Sequence, residues 1–171
     1  AAGSLRRAGQ GAGPYASLLP EAAAARDAIV AQIKESGSDT PLDKDMIPSL
    51  DQYVEQVGLL AKTLNEIDAI VESVPMDNLA EDKRALSAKL DAAQSESLKA
   101  EYRSSIAEIE KQEASFRDLQ DQREVLNLRL RSSVNSLKQM RLDLARFKTA
   151  PGASGAGVVE LVRTRTDELA K

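Results

Sequence analysis

Tyr102 to Lys148 reads YRSSIAEIEKQEASFRDLQDQREVLNLRLRSSVNSLKQMRLDLARFK, a stretch with neither glycine nor proline. Its apolar residues return alternately after three and four positions through seven heptads. Tyr102, Ile109, Phe116, Leu130, Leu137 and Leu144 share one seam position with Arg123. Leu119, Leu126, Met140 and Phe147 share the other with Ser105, Gln112 and Ser133. That period belongs to a helix whose apolar edge packs along another helix, so the stretch predicts one long coiled-coil helix.

Carried backward, the same register would set Ser95, Asp91, Ala88, Arg84 and Glu81 on the seam, whereas Leu79, Leu86, Leu90 and Ala93 form an apolar face of their own. A phase change marks a discontinuity. Serines near Gln94–Ser97 can cap and turn a chain, so the long helix is predicted over about 96–148, some 80 Å at 1.5 Å per residue. A shorter helix precedes it, opened by Asp77 as a cap behind Pro75. Before Pro75, Ile47, Leu50, Val54, Val57, Leu60, Leu64, Ile67, Val71 and Val74 step by three or four and predict a further buried stripe. Its start is ambiguous: Thr40-Pro41 is a good helix opening, but Pro48 has no N–H for the carbonyl of Lys44. The helix is therefore kinked there or begins at Ile47. A first helix is predicted from Ser17 or Pro20 to Ser36, ended by Gly37, with Leu19, Ala22, Ile29 and Ile33 on one side.

Glycines at 3, 9, 11 and 13 with Pro14 make residues 1–15 a flexible leader, and the TAPGASGAG run makes 149–157 a linker. Between them lies a helical bundle, 16–148, and Val158, Val159, Val162 and Leu169 begin another helix over 158–171. The fold class is all-α: an elongated antiparallel helical bundle of coiled-coil type. The chain starts without Met and ends without a helix stop signal, as a segment of a larger protein would.

Composition narrows the chemistry. The chain has no Cys and no His among its 171 residues, which removes thiolate and imidazole metal ligands, a cysteine nucleophile and a histidine-activated hydroxyl. Two Phe, three Tyr and no Trp leave an aliphatic core. No apolar run nears the roughly 20 residues of a membrane span. The chain reads as a soluble segment, with the cytoplasm favoured among compartments. Asp43 with Asp45, and Glu108, Glu110 and Glu113, are near neighbours in sequence, but helical spacing turns such neighbours apart and makes them solvated faces and caps. The Gly9-x-Gly11-x-Gly13 run has no strand before it, so it reads as linker and not as a phosphate cradle. Catalytic, cofactor-binding and metal-binding residues are accordingly none.

Charge is unevenly spread along the chain. The net −4 divides into −8 over residues 37–96 and +3 over 97–148, with +1 before and 0 after. Arg129, Arg131, Lys138, Arg141, Arg146 and Lys148 form a candidate basic patch at the end of the long helix, suited to its dipole and to pairing with the acidic helices. Arg123, Ser105, Gln112 and Ser133 interrupt the seam and are expected to fix its register.

LLPE at Leu18–Glu21 and RDAI at Arg26–Ile29, followed by long heptads, resemble the helical spacer regions of bacterial multidomain proteins, and the architecture is similar to spectrin-like bundles. That resemblance implies a scaffold with no site residues to carry over. Covering the long helix is the remaining problem. If the second helix lies on its early half, Leu130, Leu137, Met140, Leu144 and Phe147 stay open as an apolar strip larger than a monomer usually exposes. The expected occupant is the first helix, a protein partner with an acidic rim or, favoured, a second copy of the chain. The function expected is a non-catalytic structural spacer or protein–protein interaction and oligomerisation module. The alternative is a nucleic-acid or anionic-membrane contact through the basic patch.

Overall fold

The computed structural model describes residues 15–35, 41–150 and 155–169. Five helices account for nearly all of them: α1 (Leu18–Glu35), α2 (Pro41–Ser73), α3 (Met76–Ala92), α4 (Glu96–Thr149) and α5 (Gly155–Leu169). There is no strand among the described residues. The protein is an all-α helical bundle with one long helix of 54 residues, as the heptads require.

The breaks between helices follow local chemistry. Ala93 turns to extended backbone at φ −71°, ψ 139°, and Ser95 caps α4 by accepting the Leu98 N–H at 3.4 Å. The phase change near Gln94–Ser97 therefore falls where the helix is interrupted. Pro75 separates α2 from α3, but the expected cap at Asp77 is not used: Pro75 itself holds the capping position without a side-chain hydrogen bond, and Asp77 sits in the first turn, where its charge suits the dipole. Pro48 does not delay α2, which is helical from Pro41 onward. Pro48 is the eighth residue of the helix, past the four N–H groups that have no partner anyway, so the helix continues through it at the cost of the hydrogen bond to the Lys44 carbonyl.

Two ends differ from the sequence expectation. Tyr15, assigned to the leader, is only 4% exposed and packs in the core, with its carbonyl accepting the Leu18 N–H at 3.1 Å. Gly155, Ala156 and Gly157, assigned to the linker, open α5. The rest of the leader and residues 151–154 of the linker lie outside the described residues, as does the proposed Thr40 cap.

Contacts divide the chain into two compact units. The first, residues 1–65 with 126–171, is built from α1, most of α2, the end of α4 and α5. Arg26 reaches Asp51 at 2.6 Å across the short α1–α2 connection, as in an antiparallel pair. Glu21 and Glu35 of α1 reach Lys138 and Lys148 of α4 at 2.6 and 2.9 Å, which sets α1 parallel to α4. Arg165 meets Asp143 at 3.3 Å, and Gly157 lies against the Phe147 ring, so α5 runs back along α4. These four segments enclose one aliphatic core, including Ala22, Ile29, Ile33, Leu50, Leu64, Leu130, Leu137, Leu144 and Val162. A buried aliphatic side chain of this kind contributes about 1.5–3 kcal/mol, and no charged residue is buried there among the described residues.

The second unit, residues 66–125, holds the last turns of α2, all of α3 and the first half of α4. Asp68 pairs with Arg123, and Lys83 pairs with Glu113 at 3.1 Å and with Glu110 at 3.5 Å. The pairing numbers rise on one side as they fall on the other, as in an antiparallel hairpin. Its seam is thin. Ile67 is its one buried hydrophobic residue among those described, and α3 buries none. Leu79, Leu86, Leu90, Tyr102, Ile109, Phe116 and Leu119 are half-buried.

Candidate functional site

The apolar strip expected on the long helix is present but closed. Leu130, Leu137 and Leu144 are fully buried, Met140 is 2% exposed, and Phe147 packs half-buried against the same cluster. This corrects the expectation of a face left open for a partner or a second copy. The sequence argument gave the strip only α2 as a certain neighbour, whereas α1 lies parallel to it and α5 folds back over it. The apolar stripes at Leu19, Ala22, Ile29 and Ile33 and at Val158 and Val162 are what cover it.

The basic patch is divided by the same packing. Lys138 and Lys148 are tied to Glu21 and Glu35 of α1. Arg129, Arg131, Arg141 and Arg146 are exposed and make no ion pair among the described residues, although Arg131 Nε donates to Asn127 Oδ1 at 3.2 Å. Arg131 and Arg146 share the outward side of α4 with Leu128, Asn135, Gln139 and Leu142, opposite the core positions. Leu128 and Leu142 are 58% and 57% exposed. A shallow depression runs beside Leu128, lined by Arg131, Ser132, Asn135, Ser136 and Gln139.

The polar seam residues have separate fates. Arg123 binds Asp68, both of whose carboxylate oxygens are inaccessible to solvent. The Ser133 carbonyl accepts the Tyr53 hydroxyl at 3.4 Å. Ser105 is half-buried, and Gln112 is exposed. Against the expectation of carboxylates turned apart on solvated faces, Glu110 and Glu113 lie three positions apart on one side of α4 and together hold Lys83, with Glu113 half-buried; the ammonium is raised above its ordinary value, first by the Glu113 hydrogen bond and then by the nearby charges. Arg165 is likewise raised by its hydrogen bond to Glu168 and by the charges of Glu168 and Asp143. Among the described residues no group of three or more acidic side chains converges on a point where a metal could sit.

Within the second unit the structure adds a feature that was not singled out from sequence. Where α2 stops at Ser73 and Pro75 starts α3, the hairpin leaves a groove of about 520 Å³. Ile70, Val74, Phe116 and Leu119 form its apolar part, and Glu108, Lys111, Gln112 and Ser115 its polar rim. Ile70 is 51% exposed. The available signal was Pro75: a break in one helix opposite an unbroken one leaves uncovered seam. An open, mainly apolar groove edged by charges is suited to receiving an apolar side chain of another helix.

No protein-family model, no curated protein and no solved structure matches the chain. No helix among the described residues is long and apolar enough to cross a membrane.

Proposed function

We propose that this chain is a non-catalytic structural and protein-interaction module whose second unit offers its thin seam to a protein partner. The observation that carries this is the half-covered apolar edge of residues 66–125, opened further into a groove at Ile70, Val74, Phe116 and Leu119. The first unit encloses a core of fully buried side chains, which the second unit lacks. The second has apolar area left for a further helix, and helix-in-groove docking uses such area.

Site-specific photo-crosslinking in the cells that make the protein tests this. A benzophenone side chain at Gln112 or Ser115, both exposed on the groove rim, should give a discrete protein adduct. The same group at Lys62, exposed on α2 in the first unit, should give none. Equal adducts at all three positions, or none at the rim, would remove the proposal.

A second reading rests on Arg129, Arg131, Arg141 and Arg146, which are free of carboxylate partners among the described residues and could meet phosphates. It is weaker, because Lys138 and Lys148 are engaged elsewhere and no aromatic residue stands among the four for bases to stack on. Co-sedimentation with anionic vesicles or duplex DNA that disappears at high salt would support it. No co-sedimentation at low salt would end it.

A further inference from the structure

The side of α4 turned away from the first unit's core carries a second heptad register. Leu128, Ser132, Asn135, Gln139, Leu142 and Arg146 return after four and three positions, and all six are exposed. They lie opposite Leu130, Leu137 and Leu144, which are fully buried. Leu128 and Leu142 are 58% and 57% exposed and stand two heptads apart on one line, about 21 Å at 1.5 Å per residue. Charge is arranged around both leucines. Arg129 and Arg131 flank Leu128, Arg141 and Arg146 flank Leu142, and none of the four has a carboxylate partner among the described residues. The one acidic side chain of this stretch, Asp143, is half-buried and already held by Arg165 at 3.3 Å and by Gln139 Nε2 at 3.0 Å. Between the two basic ends the exposed side chains are uncharged except Lys138, which is tied to Glu21.

Spacing, charge and the polar middle together select the class of occupant. A nucleic-acid backbone, charged along its whole length, would lay most of its phosphates on the uncharged middle. A lipid surface would have to take the amides of Asn135 and Gln139 out of water along with the leucines. A helix meets all three features. An apolar stripe at the same two-heptad spacing reaches both leucines, acids on its flanks reach both arginine pairs, and a polar residue opposite Asn135 fixes its register. The shallow depression between Leu128 and Gln139 takes a side chain of that helix, as a hole takes a knob.

We propose that the face of α4 from Leu128 to Arg146 docks an acidic amphipathic helix of another protein. The apolar stripe of that helix seats on Leu128 and Leu142. Its carboxylates meet Arg129 and Arg131 at one end and Arg141 and Arg146 at the other. The face belongs to the first unit and shares no residue with the groove of the second, so either site can fail without the other.

The experiment titrates the full chain into a labelled helical peptide of about 21 residues, with leucines at two-heptad spacing and glutamates on both flanks, and follows fluorescence anisotropy. Binding is expected at about 0.05 M salt and should weaken roughly tenfold at about 0.5 M, where the screening length falls to roughly 4 Å. Leu128→Ser, Leu142→Ser and the pair Arg129→Gln with Arg141→Gln should each weaken it about fivefold or more. Arg163→Gln, exposed on α5, should leave it unchanged. All these positions are exposed, so circular dichroism should show an unchanged fold. No binding of the glutamate peptide at low salt overturns the proposal. So does equal binding of the same peptide with lysine for glutamate, or of a scrambled peptide of equal charge. Binding that survives the α4 variants and is lost in Ile70→Glu puts the peptide in the groove; the α4 site then falls and the interaction-module proposal stands. Self-association of the chain alone that Leu128→Ser abolishes makes the occupant a second copy. A DNA duplex or phosphatidylserine vesicles that bind through the same arginines while the peptide does not make it a phosphate site. Either result removes the acidic helix.

Discussion

Replacing Arg123 by leucine should strip the hairpin unit of the cation that its seam is built around. Asp68 has 13% of its side chain exposed and both oxygens inaccessible, while the Arg123 side chain is 41% exposed. Removing one partner of a fully buried pair costs about 3–5 kcal/mol, and exposed pairs are worth about 0–1 kcal/mol. This pair lies between those limits, so Arg123→Leu should cost about 2 kcal/mol, chiefly because a carboxylate is stranded. Asp68→Leu should cost less, about 1 kcal/mol, since the guanidinium has a path to water that the carboxylate lacks. The double variant should return to within about 1 kcal/mol of wild type, because two leucines facing each other extend the apolar seam. The assay is hydrogen exchange on peptides from residues 76–121, which reads the opening free energy of this unit even if the two units unfold separately. Arg123→Leu with unchanged exchange, or a double variant destabilised by the sum of the two single costs, would refute the assignment of this pair as the seam's register lock.

Hydrogen exchange in wild type should be slowest around Leu50–Leu64 and Leu130–Leu144 and markedly faster in Met76–Ala92, because the first region encloses a core and α3 buries no residue; equal protection would contradict the division. Leu137→Asp should cost at least about 3 kcal/mol and Arg129→Asp less than about 0.5 kcal/mol, measured by urea unfolding, since the first puts a charge where nothing is exposed and the second alters a solvated position. Gly157→Ala should lower the melting temperature, by about 1–2 kcal/mol of stability, as its new methyl would collide with the Phe147 ring; the double change Gly157→Ala with Phe147→Leu should recover part of the loss. Lys83→Met should melt earlier than wild type at neutral pH, and the gap should close as pH rises. The folded-state value of Lys83 is raised above that of the unfolded chain, so its contribution is complete below the ordinary lysine range and is lost as pH climbs through the raised value. A gap that widens with alkali would reverse the sign.

Helix existence was legible in the sequence because the heptads of α4 and the stripe of α2 are long enough to admit one period only. The turn near Ser95 was legible for a related reason: two apolar faces out of phase cannot belong to one packed helix. Three features were not. Tyr15 stands directly behind a glycine-rich run, and nothing local says that its ring finds the core. Gly155–Gly157 have linker composition, yet they begin a helix, and the Phe147 ring lies over Gly157, where a side chain would have little room. The closure of Leu130, Leu137 and Leu144 depends on which helices approach them from far along the chain, and heptads specify that a face is buried without naming its neighbour. The groove is also a product of pairing: Pro75 is visible in sequence, but its consequence appears only once Phe116 and Leu119 stand opposite.

The same heptad repeat thus reaches two outcomes on one helix, and the number of neighbours makes the difference. Past Leu126, α4 touches a core shared with α1, α2 and α5, and its seam positions are withdrawn from water. Between Tyr102 and Leu119 it meets a single layer of helix, and residues of the same type remain half-covered. At about 25 cal/mol per Å², every apolar surface left in water there is stabilisation that the isolated unit does not collect. A docking helix that covered the seam would therefore add to the stability of the unit that binds it, since whatever binds the folded form alone raises its apparent stability by mass action. Stability and association in residues 66–125 are in this way linked quantities: changes that loosen the hairpin, such as Arg123→Leu, should weaken binding at the groove although they touch no partner, and occupancy of the groove should slow exchange in α3 although α3 lines no part of it.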